Sequence, residues 1–300
     1  IATFGFSSLP GSPQVPNLLP IPYLGTTSYA APVLGLVSSA LMLLLGMTWL
    51  NSRVKKAKAA GEGYGDHDDK LGDDSGEMPG LAASLIPIIL VVGLNYALTS
   101  YFQSPAVVEK YREMGGVNSM WPVIIALFAA VVAGLILFHK QFGTAEKSID
   151  VLKKGAETSF PALINTAFVI GYGGVVGSTA AFSALTKVIM GIPISGAFKV
   201  VTASTLMSAV TGSATGGLGL TFAAFDFTLL GIHPEAIHRL AVIASGGLDS
   251  LPHCGAVVMT LLVCRLTHKE SYLDVGVLSV GVPLISAFAC ALLYSITGLV

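Results

Sequence analysis

The segment SGGLDSLPHCG, residues 245–255, sets Asp249 and His253 among small and apolar residues. Ionisable groups in such surroundings are functional candidates by default, and a carboxylic acid or an imidazole is the kind of group that carries a coupling proton. A plainer reading stands beside it: Asp249 and Ser250 would cap the amides of a helix that starts after Pro252. Asp249, Ser250 and His253 are also the residue types of a hydrolytic triad, yet positions one and three apart along one segment do not give the relay geometry. Nor is SGGLD the GxGD signature of intramembrane aspartyl proteases, because leucine stands directly before Asp249.

Two further segments interrupt apolar sequence in the same way. GYGGVVGST (171–179) offers Gly173, Gly174, Ser178 and Thr179, with Asn165 upstream. TGSATGGLG (211–219) offers Ser213, Thr215, Gly216 and Gly217, and no GK[ST] follows to make it a P-loop. Unwound backbone inside a bilayer is tolerated only where it is buried in protein or lines a wet cavity. Freed amides at a half-helix N-terminus favour an anion, and hydroxyls add neutral donors without burying a fixed cation. Discontinuous helices of this kind mark a transporter's binding site. The competing explanation is that small residues simply let helices pack closely. The candidate substrate-binding residues are therefore Asn165, Gly173, Gly174, Ser178, Thr179, Ser213, Thr215, Gly216, Gly217 and Ser250, with Asp249 and His253 as proton carriers. No residue is assigned to catalysis or to a metal. His233 and His238 in HPEAIHR are five apart rather than four, so the segment reads as an external helix start with Pro234 first and Glu235 in the first turn. The Asp-His-Asp run at 66–68 reads as a solvated loop.

What must position these residues follows from composition. Of 300 residues, 53% are hydrophobic and only 11% charged, against about 25% in soluble domains, and mean hydropathy is +0.76. Long apolar runs without period-2 alternation favour helices over a barrel. The sequence thus predicts an all-α polytopic membrane protein: a transmembrane bundle with a re-entrant hairpin and broken helices. A net charge of −1 without a basic patch gives no reason to invoke nucleic acid. The three cysteines, Cys254, Cys264 and Cys290, lie in apolar segments without CxxC spacing and read as packing residues.

Residues 1–29 are rich in Pro, Gly and Ser and read as an extramembrane connector. Residues 30–139 hold three spans with a cytoplasmic loop at 51–80, placed inside by Arg53, Lys55, Lys56 and Lys58. A second cytoplasmic loop covers 140–156. Residues 157–300 form a transport core: a re-entrant hairpin at 157–190, a broken helix running outward at 196–230, another running inward at 234–266, and a final span. That count of crossings puts Arg265, His268 and Lys269 in the cytoplasm, with Lys187 and Lys199 on the same side.

AAPVLGLV with LGMTWLNSRVKKAKAAGEGYG, and GIHPEAIHRLAVIASGGLDSLPHCGAV with LTHKESYLDV, resemble the GntP family of gluconate-type permeases, over essentially the whole chain. SGGLDSLPHCGAV looks more like the branch of D-β-hydroxybutyrate permeases than the gluconate carriers, which typically have a GSGTVSHVNDSG-like segment there. The resemblance implies a proton symporter of small hydroxy-acids in the bacterial inner membrane, not an enzyme. It also implies two inverted repeats, of which this chain matches the second and looks like the C-terminal part of a longer permease. Expected partners are a small organic anion, the lipid bilayer and, by family analogy, a second copy in a homodimer. No cofactor is expected beyond the proton gradient, although a sodium-coupled relative would use similar breaks. The alternatives are a gluconate or related sugar-acid substrate and, in other classes, an anion channel or an intramembrane hydrolase.

Overall fold

The computed structural model describes residues 2–63, 80–111, 120–142 and 144–300, and every regular element among them is helical. The Asp-His-Asp run lies outside the described residues. The chain divides into two compact units, Ile1–Ser52 with Ile164–Val300, and Arg53–Leu163.

Three short helices, α1 (Ala2–Ser8), α2 (Val15–Leu18) and α3 (Ile21–Leu24), occupy the segment expected to be a connector. Pro at the first turn starts α2 and α3, and Gly25 at φ 63° ends α3, so proline and glycine here punctuate helices instead of preventing them. The long α4 (Pro32–Ala59) starts on Pro32 and finishes with Lys56 and Lys58 in its last turn, where cations suit the helix dipole.

In the second unit, α5 (Leu81–Phe102) packs along α7 (Trp121–Leu137), with α6 (Pro105–Tyr111) between them in sequence and the short α8 (His139–Phe142) after. Val123, Ala126 and Ala130 are buried at helical spacing on α7. Ile89 and Phe128 stay exposed, as lipid-facing side chains would be.

Helix α9 (Ala145–Gly177) is continuous through GYGGVVG, contrary to the expectation of unwound backbone there. Glycine disfavours a helix by only about 1 kcal/mol per residue, a cost that a long helix tolerates. The break comes at Ser178 and Thr179, where the axis bends by 81° into α10 (Ala180–Gly191).

The remaining helices build the core of the first unit: α11 (Gly196–Thr211), α12 (Ala214–Ala224), a 3-10 turn at Phe227–Leu230, α13 (Pro234–Ser245), α14 (Gly255–Val263), α15 (His268–Gly276), a π turn at Val277–Gly281 and α16 (Val282–Thr297). Small residues, including Ala203 on α11, Ala241 and Ala244 on α13 and Ala287 and Ala291 on α16, are fully buried and let the helices approach. Among the described residues, three helices are long and apolar enough to cross a membrane: α4, α5 and the 30-residue run His268–Thr297. The bent pair at 171–191 qualifies as one more if it is a single span.

Candidate functional site

The second and third glycine-rich segments come together. Gly212, at φ 59°, ends α11 in the left-handed conformation that glycine adopts without a Cβ penalty, and Ser213 opens α12. The chain then folds back on itself. In a straight helix Ser208 and Gly217 would be about 13 Å apart. Instead, a Cβ built on Gly217 would lie 2.6 Å from the Ser208 backbone nitrogen. The expected outward broken helix over 196–230 is thus an αα-hairpin whose tip is Gly212–Ser213.

At that tip, Ser213 Oγ accepts from the Gly216 amide at 3.3 Å, capping α12, and Thr211 Oγ1 lies 3.0 Å from both Met207 O and Ser213 O. Thr215 is half-buried in the first turn, and Gly216 and Gly217 are buried.

Facing the tip is the non-helical stretch between α13 and α14, residues 246–254. The His253 ring lies 3.6 Å from a Cβ built on Gly212, and the backbone of Cys254 is close by at 3.8 Å. Asp249 and Ser250 are each only 8% exposed. Ser250 Oγ donates to Asp249 Oδ1 at 2.8 Å, and the backbone of Ala214, in the first turn of α12, is near enough to act on the Asp249 carboxyl. The alternative role for Asp249 as a cap of α14 is not what the fold uses: Cys254 holds that N-cap position without a side-chain bond, and the Asp249 carboxyl is bonded to Ser250 Oγ instead.

The first segment is placed differently. Ser178 Oγ donates to Val175 O at 2.7 Å and Thr179 Oγ1 to Val176 O at 2.8 Å; Thr179 also caps α10 by accepting from Phe182 N at 3.2 Å. Both residues are exposed, and no hydrogen bond among the described residues joins them to the hairpin tip. A Cβ built on Gly173 or Gly177 would lie 3.6 Å from the Leu220 side chain, about two turns along α12 from the tip, while one built on Gly174 meets nothing within 4 Å. Asn165 stands on α9, its side chain outside the described ones. Accordingly, Ser178→Ala is expected to change apparent substrate affinity by less than about twofold, since its hydroxyl satisfies its own helix. A competition-binding assay on the full-length protein checks this.

HPEAIHR conceals a feature that the sequence reading missed. Pro234 opens α13 as expected, with the His233 ring capping the Glu235 amide at 3.3 Å. His238 and Arg239 are fully buried. Arg239 Nε and Nη2 donate to Ala30 O at 2.8 and 2.6 Å, Nη2 also to Ser28 O at 3.1 Å, and Nη1 to Ser8 O and Asn17 Oδ1 at 3.0 and 2.8 Å. His238 Nε2 donates to Asn17 O at 3.1 Å, which leaves Nδ1 to accept from Thr26 Oγ1 at 2.7 Å. Glu235 accepts from the Ala31 amide at 3.0 Å, holding Ala31 at φ 43°. This node locks residues 8–31 to the helix that leads into the site. Its sequence signal was the ionisable cluster Glu235, His238 and Arg239 in the first half of a helix whose remainder is apolar.

A hairpin tip meeting an unwound segment between apolar half-helices is an arrangement found in helical membrane transporters. The chain is 34% identical, over 99% of its length and 68% of the relative's, to the uncharacterized transporter YxjC of Bacillus subtilis (strain 168), and it belongs to that transporter's family. No family model matches the chain, and no solved structure does.

Proposed function

We propose that the chain carries the substrate site of a proton-coupled secondary transporter for a short hydroxy-monocarboxylate such as 3-hydroxybutyrate, as in the GntP family, in the bacterial inner membrane. The observation that supports this is the meeting of the unwound segment with the hairpin tip, where His253 lies against Gly212 beside the α12 N-terminus that carries Ser213, Thr215 and Gly216, and the Asp249–Ser250 pair belongs to the same segment. Amides and hydroxyls suit a carboxylate and a neighbouring hydroxyl, and a buried carboxyl group beside them suits a coupling proton.

The hairpin also revises the expected path through the bilayer. With α11 and α12 turning back and the bent α9–α10 pair crossing, the number of crossings stays the same. Arg265, His268 and Lys269 remain on the cytoplasmic side. Lys187 and Lys199 move to the outer side, where Lys199 Nζ donates to Met190 O at 2.7 Å near the end of α10.

The test is uptake of labelled D-3-hydroxybutyrate into vesicles carrying the full-length protein, with an imposed proton or sodium gradient and gluconate as competitor. Proton-driven uptake that gluconate does not inhibit supports the reading. Strong competition moves the substrate to the sugar acids, and uptake driven only by sodium overturns proton coupling. Asp249→Asn keeps the shape but cannot cycle a proton, so proton-driven uptake should fall about tenfold or more while substrate counterflow persists. Unchanged proton-driven uptake in this variant would remove Asp249 from the coupling step.

A further inference from the structure

The unwound segment is held on a second side, by α15. Tyr272 Oη donates to Ser250 O at 3.1 Å and His268 Nε2 to Pro252 O at 3.0 Å. These residues are one turn apart, so a single helix face covers the carbonyls that flank Asp249 and His253, with the two rings 5.9 Å apart. Cys254 lies under this face in a small apolar cluster with Val257, Leu261, Tyr272 and Val275.

How α15 is anchored distinguishes it from the rest of the core. None of its residues is buried, whereas α16, which continues it, buries Val282, Pro283, Ser286, Ala287, Cys290 and Ala291. Between the two lies the π turn Val277–Gly281, the kind of local irregularity that bends a helix and recurs at functional sites. At the other end the chain enters α15 through Arg265 in the left-handed conformation, φ 55°, and a capping box of Thr267 and Glu270. Besides Tyr272 and His268, the bond from Trp49 Nε1 to Asp274 Oδ1, at 2.8 Å, pins α15 to α4. A helix with no buried residue, joined to a packed helix through a π turn, can move relative to that helix at low cost.

We propose that α15 is the inner gate of the solute site: Tyr272 and His268 hold the unwound segment closed, and rotation about the π turn releases it toward the cytoplasmic face. This rests on reading residues 246–254 as part of the solute site, with Arg265 and Lys269 marking the cytoplasmic side. Substrate bound at the hairpin tip then leaves past Cys254.

Cys254 is the native reporter, being only 6% exposed. In the full-length protein with Cys264→Ser, Cys290→Ala and any further cysteines replaced, a membrane-impermeant maleimide is applied to inside-out and right-side-out vesicles. Tyr272→Phe with His268→Ala is expected to raise Cys254 labelling about fivefold or more from the cytoplasmic face alone, because two closing hydrogen bonds are lost. An unchanged rate overturns the proposal, and so does an equal rise from both faces, which would report general loosening. If the double variant does not yield monodisperse protein, Tyr272→Phe alone, which keeps the ring, carries the test: a rise of about twofold from the cytoplasmic face supports the gate and no rise refutes it. The readout needs no substrate, so failure of the gate is distinguishable from failure of the transport assay.

Discussion

Gly217→Leu is expected to reduce the yield of folded full-length protein to less than about a tenth of the parent's, because overpacking against backbone has no side-chain escape. The atoms it would meet belong to Ser208: its backbone nitrogen lies 2.6 Å from the built Cβ, and its Cα and Oγ are also in contact. A clash with the end of a flexible side chain can be relieved by a rotamer change. A clash with the backbone of the partner helix requires α11 and α12 to move apart, which withdraws the tip from Asp249. Gly174→Ala is the matched control. Gly174 also stands in a glycine-rich segment, but nothing lies within 4 Å of its built Cβ, and the backbone there is helical. That substitution should leave yield unchanged or raise thermal stability slightly, by up to about 1 kcal/mol, from helix propensity. Size-exclusion profiles and melting curves in detergent check both; equal losses in the two variants would remove the hairpin contact as the cause.

Arg239→Ala should be comparably severe. The guanidinium supplies two donors to Ala30 O and one each to Ser8 O, Ser28 O and Asn17 Oδ1, all in a region closed to water. Withdrawing a partner from a buried polar group costs roughly 1–3 kcal/mol per group, and the sum over this node is comparable to a typical folding stability of about 5–15 kcal/mol. Lysine keeps the charge but has three donors on a point-like head, so Arg239→Lys should be intermediate, with the Asn17 and Ser8 contacts the natural ones to fail. The measurement is limited proteolysis of purified protein: cleavage within residues 8–31 should become rapid in the alanine variant, slower in the lysine variant and slowest in the parent. Parent-like protection in Arg239→Ala would show that apolar packing alone holds the segment.

These two sites mark how far the sequence could be read. SGGLDSLPHCG announced an unwound segment because Gly246, Gly247 and Pro252 are poor helix residues clustered together, and residues 246–254 are indeed non-helical. TGSATGGLG announced a break but not its direction. Whether a chain continues or reverses at Gly212 depends on the sign of one φ angle, and glycine permits both. GYGGVVGST announced a break that does occur, but at its last two residues, Ser178 and Thr179, while the four glycines before them stay helical, because glycine composition does not say at which residue a chain bends. For Gly173 the answer lay in Leu220, a contact partner that spacing cannot supply. The Arg239 node was illegible for a related reason: its acceptors sit 209 to 231 positions away in sequence, and apart from Asn17 Oδ1 they are backbone carbonyls, which have no residue signature. The all-helical class followed from composition alone, because a bilayer leaves an apolar chain few other ways to satisfy its peptide groups.

The hairpin has a consequence for how the protein is made. With 11 residues, α12 rises only about 16 Å, roughly half the hydrocarbon thickness, and α11, with 16 residues, about 24 Å. Neither can be handed to the bilayer as an independent stop-transfer segment, and the tip that joins them carries amides and hydroxyls that lipid cannot satisfy. The pair must be synthesised, held and inserted together, and it becomes stable only when α13 and the unwound segment after it have emerged to receive the tip. Stable insertion of this region is therefore expected only after α13 and the segment that follows it, which come later in the chain, have been translated.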